Sequence, residues 1–201
     1  MDWTSWNRLR YTLWSPGYDL FAGFHRQRRR SIELLALQPG ERVLIVGAGT
    51  GLDLPHLPEG VSVLATDLTP AMLAKAKKRA RPGVELRVMD GQMLELPDES
   101  FDAVVLHLIL AVIPDPVACL REAARVVRTG GRLGIFDKFL PEAGQPSVLR
   151  RAANVVTTIL FSDINRKIGN LVTASGAPLV MEHDEPALLG NTFRILLLRK
   201  R

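Results

Sequence analysis

The sequence predicts an α/β fold built on a doubly wound, mainly parallel sheet. Short apolar runs alternate with segments of helical character between residues 42 and 136, and this order is typical of parallel strands covered by helices on both faces. The first apolar run leads directly into a loop with three glycines, Gly47, Gly49 and Gly51. The pattern changes after Pro141, where a helical stretch and two strand-like runs predict an antiparallel edge.

Five strands are predicted before Pro141, and the fourth is nearly all apolar, which favours its burial on both faces. One intervening helix begins at Pro70, since proline suits a first helical turn, and ends at Pro82–Gly83. Another begins at Pro116 and is expected to end at Gly130–Gly131. The predicted strands are Arg42–Val46, Val61–Thr66, Val84–Met89, Phe101–Ile109 and Arg132–Phe136.

The C-terminal part contains a predicted helix over 147–171, with a break near Ser162, and two further strands. These strands, Leu179–Glu182 and Phe193–Arg199, are joined by a turn at Gly190–Asn191 and bring the predicted sheet to seven strands. We therefore expect one domain over 1–201. Its expected parts are an N-terminal helical lid over 1–36, a cofactor-binding core over 38–137 and a C-terminal helix and strand pair over 138–201.

Composition narrows the classes of function. At 201 residues and 47% hydrophobic content, the chain can bury a sizeable core. The single Cys119 excludes a disulfide framework, and the four histidines lack metal-ligand spacing, so no metal site is expected. The first thirty residues lack the apolar stretch of a signal peptide, and LHLILAVI is too short to cross a bilayer. We expect a cytoplasmic protein.

The positive charge is concentrated near the N-terminus. The net charge is +5, and the run HRQRRR at 25–30 together with Arg8 and Arg10 makes the first thirty residues strongly basic. Aromatic residues are interleaved with these arginines, namely Trp3, Trp6, Trp14, Phe21 and Phe24. This mixture is typical of an interfacial helix on an anionic membrane surface, such as the inner face of the cell membrane. A solvated basic face with aromatics packed onto the domain is the alternative.

The glycine-rich loop is the first candidate for a binding site. In doubly wound sheets, ligands bind beyond the carboxyl ends of the strands, and glycine lets a ligand approach the backbone closely. A tight turn would explain one glycine but not three. The spacing G-x-G-x-G is shorter than the G-x-G-x-x-G of nicotinamide sites, and it therefore favours a nucleoside ligand without a pyrophosphate.

Two acidic residues at strand ends strengthen this interpretation. Asp67 follows Gly47 by twenty residues and could accept hydrogen bonds from ribose hydroxyls. Its alternative role is to cap the helix at Pro70, although Thr69 is better placed for that. Asp90 ends the third strand and could accept a hydrogen bond from an adenine amino group. Alternatively, it is a turn residue before Gly91.

The motifs VGAGTG, ATDLTPAML, MDGQMLELPDESFDAVV and LREAARVVRTGGRL resemble successive motifs of the class I S-adenosylmethionine-dependent methyltransferases, over about 38–137. The fold of that family is Rossmann-like. The family usually has an acidic residue two positions before the first glycine, where it helps to hold the amino group of the cofactor, whereas this chain has Ile45. The resemblance implies that Gly47, Gly49 and Gly51 pass under the methionine half of S-adenosyl-L-methionine, that Asp67 binds the ribose, that Leu68 lies against the adenine, and that Asp90, Gly91 and Gln92 frame the base.

A narrower resemblance involves YTLWSPGYDLFAGFHRQRRR, HLILAVIPDPVACLREA, GIFDKFLP, FSDIN and FRILLLRK. These segments are similar to the bacterial phosphatidylethanolamine N-methyltransferases, and the ubiquinone and menaquinone biosynthesis methyltransferases share the N-terminal Tyr-Asp. The resemblance implies that Tyr18 caps the cofactor near its sulfonium and that His107 lines the pocket. It also implies that the methyl acceptor is phosphatidylethanolamine or a related lipid amine, with a quinone precursor or another small molecule as the alternative.

The chemistry of methyl transfer requires few catalytic groups. An activated sulfonium methyl mainly needs the donor carbon, the nucleophile and the leaving sulfur in line. A tyrosine or histidine could orient an amine or take its proton, and tyrosine faces attract cations. Tyr11, Tyr18 and His107 are therefore candidates for substrate orientation. Anchoring of the N-terminal helix by the tyrosines and a buried structural role for His107 are alternatives, and we assign no single catalytic base.

Other classes of function fit less well. A nicotinamide oxidoreductase needs the longer glycine spacing and a hydride-site partner that the sequence lacks. A nucleic-acid methyltransferase would explain the basic arm, but the segment IPDP at 113–116 lacks a stacking aromatic residue, so nucleic acid is not expected as a partner. A non-catalytic cofactor-binding module remains an alternative because of Ile45. The sequence does not indicate an oligomeric state.

Overall fold

The computed structural model describes residues 3–14, 17–140, 165–188 and 192–201. A seven-stranded sheet with the order β3-β2-β1-β4-β5-β7-β6 forms its centre. The pairs among β1 to β5 are parallel, and β7 is antiparallel to both β5 and β6, which confirms the predicted fold. The strands are β1 Arg42–Val46, β2 Ser62–Asp67, β3 Val84–Val88, β4 Phe101–His107, β5 Val127–Lys138, β6 Leu179–Leu188 and β7 Phe193–Lys200.

Helices cover both faces of this sheet and the carboxyl ends of its central strands. The order of the strands reverses at β1, which lies between β2 and β4. A crevice is expected at this point, beyond the carboxyl ends of β1 and β4. The helices are α1 Trp3–Trp14, α2 Tyr18–Ala22, α3 His25–Leu34, α4 Pro70–Ala76, α5 Pro116–Val126 and α6 Ile168–Ser175, with a short 3-10 turn at Leu54–His56.

The core has two layers, one on each face of the sheet. Successive residues of β1 point to opposite faces, so Leu44 and Val46 pack in the layer that contains residues of α5 and α6. Val43 and Ile45 pack in the layer that contains Ile32 of α3. Because β1 is buried on both sides, its end holds the glycine loop in a fixed position.

The end of α5 differs from the prediction. The helix ends at Val126, and β5 begins at once with Val127, so Gly130–Gly131 lies inside the strand and does not terminate the helix. The pairing of β5 with β4 changes register between Phe101 and Ala103. Gly131 fits this irregularity because a side chain there would come within 2.9 Å of the Asp102 carbonyl oxygen.

The C-terminal part differs mainly in the lengths of its elements. The described helix, α6, extends beyond the predicted end at residue 171, whereas most of the 147–171 prediction, including Ser162, lies outside the described residues. The predicted turn at Gly190–Asn191 also lies outside them. Strand β6 continues to Leu188 and tolerates Pro186 because it forms an edge of the sheet.

Helix α1 lies across the crevice. The Nδ2 atom of Asn7 donates a hydrogen bond to the Val112 carbonyl oxygen at 2.9 Å, and α1 also packs against α4. The helix therefore connects the two sides of the crevice at the carboxyl end of the sheet.

Candidate active site

The glycine loop after β1 forms the floor of the cleft under α1. Gly47 and Gly49 have φ angles of +71° and +56°, which other residues rarely adopt. A side chain on Gly47 would come within 2.7 Å of the Ile109 Cδ1 atom, whereas at Gly49 the nearest atom is Tyr18 Cε1 at 3.7 Å. The Tyr18 ring therefore lies directly over the bare backbone at Gly49.

Gly51 serves a different purpose from the other two glycines. It is buried, and a side chain there would lie 3.0 Å from both Ala76 Cα and Leu54 Cδ1. This glycine lets the loop pack closely on α4 and does not belong to the residues that line the cleft. The passage of Gly51 under the methionine half of the cofactor stays a prediction.

Asp67 connects the glycine loop to α4. Its Oδ2 atom accepts a hydrogen bond from the Gly49 amide at 2.8 Å, and its Oδ1 atom accepts one from the Thr69 amide at 2.8 Å. Burial raises the pKa of Asp67, and the two amide hydrogen bonds oppose that shift. Because a carboxylate can accept about four hydrogen bonds, the group keeps acceptor capacity for hydroxyl groups in the cleft that it lines.

The loop after β3 contributes the opposite end of the cleft. Asp90 Oδ1 accepts a hydrogen bond from the Gln92 amide at 2.9 Å, and Gln92 Oε1 accepts one from the Asp115 amide at 2.8 Å. A side chain on Gly91 would come within 2.6 Å of Val46 Cγ1, so only glycine fits there. Asp90 is both a turn residue and part of the cleft wall, along with Gly91, Gln92 and Leu68.

Tyr11 and Tyr18 complete the cleft from the side of the lid. Their ring centroids are 6.0 Å apart and the rings are nearly perpendicular. Burial raises the pKa of Tyr18 to about 12 and also raises that of Tyr11. Both phenols are therefore protonated near neutral pH, and they can present a hydroxyl group and an aromatic face but cannot act as bases.

His107 lies in a buried polar cluster, and its place in the pocket wall stays a prediction. Its Nδ1 atom is 2.6 Å from Asp53 Oδ1, its Nε2 atom is 2.9 Å from Ser31 Oγ, and its side chain has no exposed surface. Arg28 Nη1 donates to both carboxylate oxygens of Asp53 at 2.8 Å. Burial would raise the pKa of Asp53, but Arg28 and His107 outweigh it and hold that pKa well below its usual range. Both ring nitrogens of His107 are thus engaged within the protein.

A second, larger cavity of about 680 Å³ lies beside the cleft. The cleft itself encloses only about 70 Å³, whereas ligand pockets typically measure about 300–1,000 Å³. A nucleoside can therefore enter only if α1 shifts. The two spaces share Tyr11, Tyr18, Leu108 and Val112, so the tyrosine rings form part of the wall between them. The cavity is further lined by Leu13, Trp14, Gly17, Ala22, Phe24, Ala111, Asp137, Lys138 and Phe193.

Several cleft residues carried no recognisable signal in the sequence. Asn7 and Arg8 reach the cleft from α1, Met72 from α4, and Ile109 from the loop after β4. Ile45, which replaces the acidic residue usual in the family, is buried in the apolar layer on the α3 side. Among the described residues, no three metal-ligating side chains come together, and no helix is long and apolar enough to span a bilayer.

Comparisons with known proteins agree with this geometry. Residues 44–135 match the methyltransferase domain family. The chain is 40% identical over 148 residues to a phosphatidylethanolamine N-methyltransferase of Cereibacter sphaeroides, a match that covers 71% of this chain and 72% of that protein. It is 39% identical over 115 residues to a demethylmenaquinone methyltransferase of Beutenbergia cavernae, covering 57% of this chain and 48% of the relative. The chain thus spans about half the length of that second relative.

Solved structures show the same fold. A methyltransferase dependent on S-adenosylmethionine from Thermotoga maritima superposes with a TM-score of 0.67 at 20% identity, over 96% of this chain and 99% of that one. Another from Aquifex aeolicus gives a TM-score of 0.64 at 20% identity, over 87% and 89% of the two chains.

The chain belongs to the S-adenosylmethionine-dependent methyltransferases. It is an enzyme of that family and uses S-adenosyl-L-methionine as its methyl donor, so the nicotinamide oxidoreductase and the non-catalytic module no longer apply. Within the family, its relatives include the phosphatidylethanolamine and the demethylmenaquinone methyltransferases, which act on different acceptors.

Proposed function

We propose that this enzyme transfers a methyl group from S-adenosyl-L-methionine to the amine of phosphatidylethanolamine or a related lipid. The observation that carries the proposal is the large, mainly apolar cavity that adjoins the cleft across Tyr11 and Tyr18. The similarity to the Cereibacter sphaeroides phosphatidylethanolamine N-methyltransferase supports the same acceptor.

The proposed cofactor contacts follow from the cleft. The backbone at Gly47 and Gly49 would carry the methionine half, and the remaining acceptor capacity of Asp67 would bind the ribose hydroxyls. Tyr18 would cover the sulfonium, while the base would be framed by Leu68, Asp90, Gly91 and Gln92. When bound, S-adenosyl-L-methionine supplies a methyl group that is already activated for in-line transfer.

The cavity has the chemical character that a lipid amine needs. Trp14, Phe24 and Phe193 provide apolar walls for an acyl chain. Two charged residues at the end of β5, Asp137 and Lys138, also belong to the lining, and the Lys138 Nζ atom lies 5.4 Å from the centroid of the Phe193 ring. A carboxylate and an ammonium side by side complement a zwitterionic headgroup, which carries an amine and a phosphate.

Burial disfavours the charged forms of both groups, raising the pKa of Asp137 and lowering that of Lys138. The Asp137 carboxylate accepts hydrogen bonds from the Ala111 amide at 3.0 Å and the Lys138 amide at 2.8 Å. These hydrogen bonds fix the Asp137 carboxylate beside the loop after β4, whose residues Leu108 and Val112 line both the cleft and the cavity. The headgroup ammonium gives one proton to water before its lone pair attacks the methyl carbon, and the sulfonium leaves as the neutral thioether of S-adenosylhomocysteine. The protonated tyrosines orient the amine and offer aromatic faces to the cationic product.

The surface of the lid suits contact with a lipid interface. Leu9 and Leu13 on α1 and Leu20 on α2 are 53%, 68% and 86% exposed. Arg8 on α1 and Arg26 on α3 are also exposed. We infer that these leucines enter the interface of an anionic membrane while the arginines contact lipid phosphates.

The composition of this surface differs from the expected interleaving of aromatic residues and arginines. Phe24 packs on Phe136 and Phe193 with ring centroids 5.8 and 5.4 Å apart, so it belongs to the core. Arg10 is buried and stacks over the rings of Tyr11 and Trp14. Within HRQRRR, Arg28 is buried against Asp53. The side chains of Trp3 and Phe21 lie outside the described structure.

An assay with labelled cofactor tests the acceptor. The purified enzyme is incubated with vesicles that contain phosphatidylethanolamine in an anionic background, with matched vesicles in which phosphatidylcholine replaces it, and with a demethylated quinol. Label in phosphatidylethanolamine alone is the expected result. Label in the quinol alone would overturn the lipid proposal and favour the second candidate, a quinone methyltransferase, which the Beutenbergia cavernae relative supports.

The membrane contact has its own test. A variant with Leu9, Leu13 and Leu20 each replaced by Gln should bind anionic vesicles less well and should still bind S-adenosylhomocysteine normally, because those leucines do not contact the floor of the cleft. Vesicle co-sedimentation of the variant and the unmodified enzyme provides the comparison. Equal sedimentation of the two proteins would exclude this surface as the membrane contact.

A further inference from the structure

Three residues form a polar triangle between the lid, the glycine loop and the turn that follows α4. Asp19 on α2 accepts a hydrogen bond from the Thr50 hydroxyl at 2.5 Å through Oδ1 and one from Arg79 Nη2 at 2.7 Å through Oδ2. Arg79 Nη1 donates to the Thr50 carbonyl oxygen at 2.9 Å. Each member of this Asp19–Thr50–Arg79 triangle thus contacts the other two.

The triangle acts next to the residue that covers the glycine loop. Asp19 follows Tyr18 directly in α2. Tyr18 Cε1 lies 3.7 Å from the point that a Cβ atom on residue 49 would occupy. Thr50 follows Gly49 directly and is buried. The carboxylate therefore fixes α2 to the same short loop segment on which the tyrosine ring lies.

The two ends of α2 are held in different ways. At its C-terminal end, buried Arg28 donates to the carbonyl oxygens of Ala22 and Gly23 at 3.1 Å. At its N-terminal end the triangle is partly open to water, since the Arg79 and Asp19 side chains are 32% and 40% exposed. Helix α2 has only five residues and no side-chain cap. It is therefore anchored firmly at one end and held at the other by a bond that water can replace.

Exposed ion pairs contribute little to stability, because water and salt screen them and their side chains lose entropy. Burial would raise the pKa of Asp19, but the hydrogen bonds from Thr50 and Arg79 outweigh it and lower that pKa. The carboxylate is thus ionised in the neutral range. The triangle contributes little to stability, but its three hydrogen bonds are well formed. We therefore expect it to determine the position of α2 on the glycine loop.

We propose that Asp19, Thr50 and Arg79 are positioning residues that hold Tyr18 over the donor end of the cofactor. This inference rests on the proposed contact between Tyr18 and the cofactor. A displacement of the ring by about 1 Å is sufficient to cost on the order of a hundredfold in a reaction that depends on alignment.

The test uses charge reversal and its repair. Asp19→Arg should weaken the binding of S-adenosylhomocysteine about tenfold, raise the KM for the methyl donor and lower kcat by up to about a hundredfold, because a displaced Tyr18 ring disturbs both the grip on the donor and the alignment of the reaction. Arg79→Asp should act in the same way. The double variant Asp19→Arg/Arg79→Asp should recover only part of the affinity, because it restores the ion pair but loses both hydrogen bonds with Thr50. Titration calorimetry and initial rates measure these quantities.

Glu185→Gln is the matched control, because Arg30–Glu185 is a similarly exposed ion pair on another part of the surface. The Glu185→Gln variant should bind the donor as tightly as the unmodified enzyme does. The melting temperatures of Glu185→Gln and Asp19→Arg should both stay close to that of the unmodified enzyme. Asp19→Arg with unchanged donor affinity and an unchanged kcat would overturn the proposal.

Tyr18→Ala separates this inference from the proposed contact beneath it. If Tyr18→Ala weakens binding of S-adenosylhomocysteine while Asp19→Arg changes neither binding nor kcat, the contact stands and the triangle has no positioning role. If neither substitution affects binding, the contact between Tyr18 and the cofactor is itself wrong, and the inference fails with it.

Discussion

The cleft and the neighbouring cavity are built from different parts of the chain. The floor of the cleft consists of loops that directly follow β1, β2 and β3, and its polar groups are tied to backbone amides, as at Asp67 and Asp90. The cavity is enclosed by α1 and α2 together with the end of β5 and the start of β7. One space is therefore fixed by the sheet, whereas the shape of the other depends on how the N-terminal helices dock. Among proteins with this fold, the binding site for the methyl donor can therefore stay constant while the binding site for the methyl acceptor varies.

The largest expected effect comes from the buried cluster that supports both regions. Arg28→Met should cost about 3–5 kcal/mol of unfolding free energy, because it leaves the Asp53 carboxylate buried without its cation. Both the cleft and the cavity should be disturbed, since Arg28 also holds the end of α2. Chemical denaturation measures the loss. A cost below 1 kcal/mol would mean that the cluster is not a shared support.

The same variant should change the pH dependence of stability. Arg28 and His107 lower the pKa of Asp53 in the folded protein, so its contribution is fully present above the unfolded pKa, about 3.9, and is lost as pH falls through the folded value. The unmodified protein should therefore show no effect of this group between pH 5 and 8. Arg28→Met removes the larger charge that opposes burial, so the folded pKa of Asp53 should rise, and the stability deficit relative to the unmodified protein should shrink as pH falls through about 4.

The next largest effect should be confined to the cleft. Asp67→Ala removes the proposed ribose acceptor and leaves the Gly49 and Thr69 amides without a partner, so donor binding should weaken by about 1.5–3 kcal/mol, roughly tenfold to a hundredfold or more. Calorimetry with S-adenosylhomocysteine provides the measurement, and Asp67→Asn, which keeps one acceptor oxygen, should lose less. Undiminished binding by Asp67→Ala would refute the assignment of this cleft.

A smaller effect should be confined to the cavity. Lys138→Met removes the ammonium proposed to contact the lipid phosphate, and the KM for phosphatidylethanolamine should rise about tenfold, near the 1.5 kcal/mol of one hydrogen bond to a charged group. The KM for the methyl donor should not change. A long-chain primary amine without a phosphate is the control substrate, because its KM should be the same for both enzymes. An equal increase for both acceptors would argue against phosphate recognition.

The smallest effect should appear at the boundary of the two regions. Asn7→Ala removes the hydrogen bond from α1 to Val112, which lines both spaces, and this should cost about 1 kcal/mol. Both KM values should rise by a few-fold, because the lid is held less firmly. Initial rates against each substrate test this. A change in the KM of one substrate alone would show that α1 serves only that side.

The sequence was informative where the structural cause is local. The glycine loop, Asp67 and Asp90 each follow an apolar strand directly, and parallel strands bring their carboxyl ends to one edge, so the cleft could be predicted from short motifs. The strands themselves were predicted to within a few residues, apart from the early start of β5 and the length of β6.

Contacts between distant parts of the chain could not be predicted in this way. His107 meets Asp53 across 54 positions and Ser31 across 76, so nothing near His107 in the sequence showed that both of its nitrogens were engaged. Arg10 and Arg28 have the composition of a basic surface but are buried, because their partners lie on other turns and elements. Gly51 is next to two cleft glycines and still packs against α4.

The hydrogen bond between Asp67 and the Gly49 amide has a consequence for altering the enzyme. One carboxylate is proposed to recognise the sugar, and the same group fastens the turn on which the sulfur end would lie. Specificity and local shape are therefore not separable at this position. Adapting the enzyme to a donor with a modified ribose would require a new hydrogen-bond acceptor for the Gly49 amide as well as a new group to bind the altered sugar.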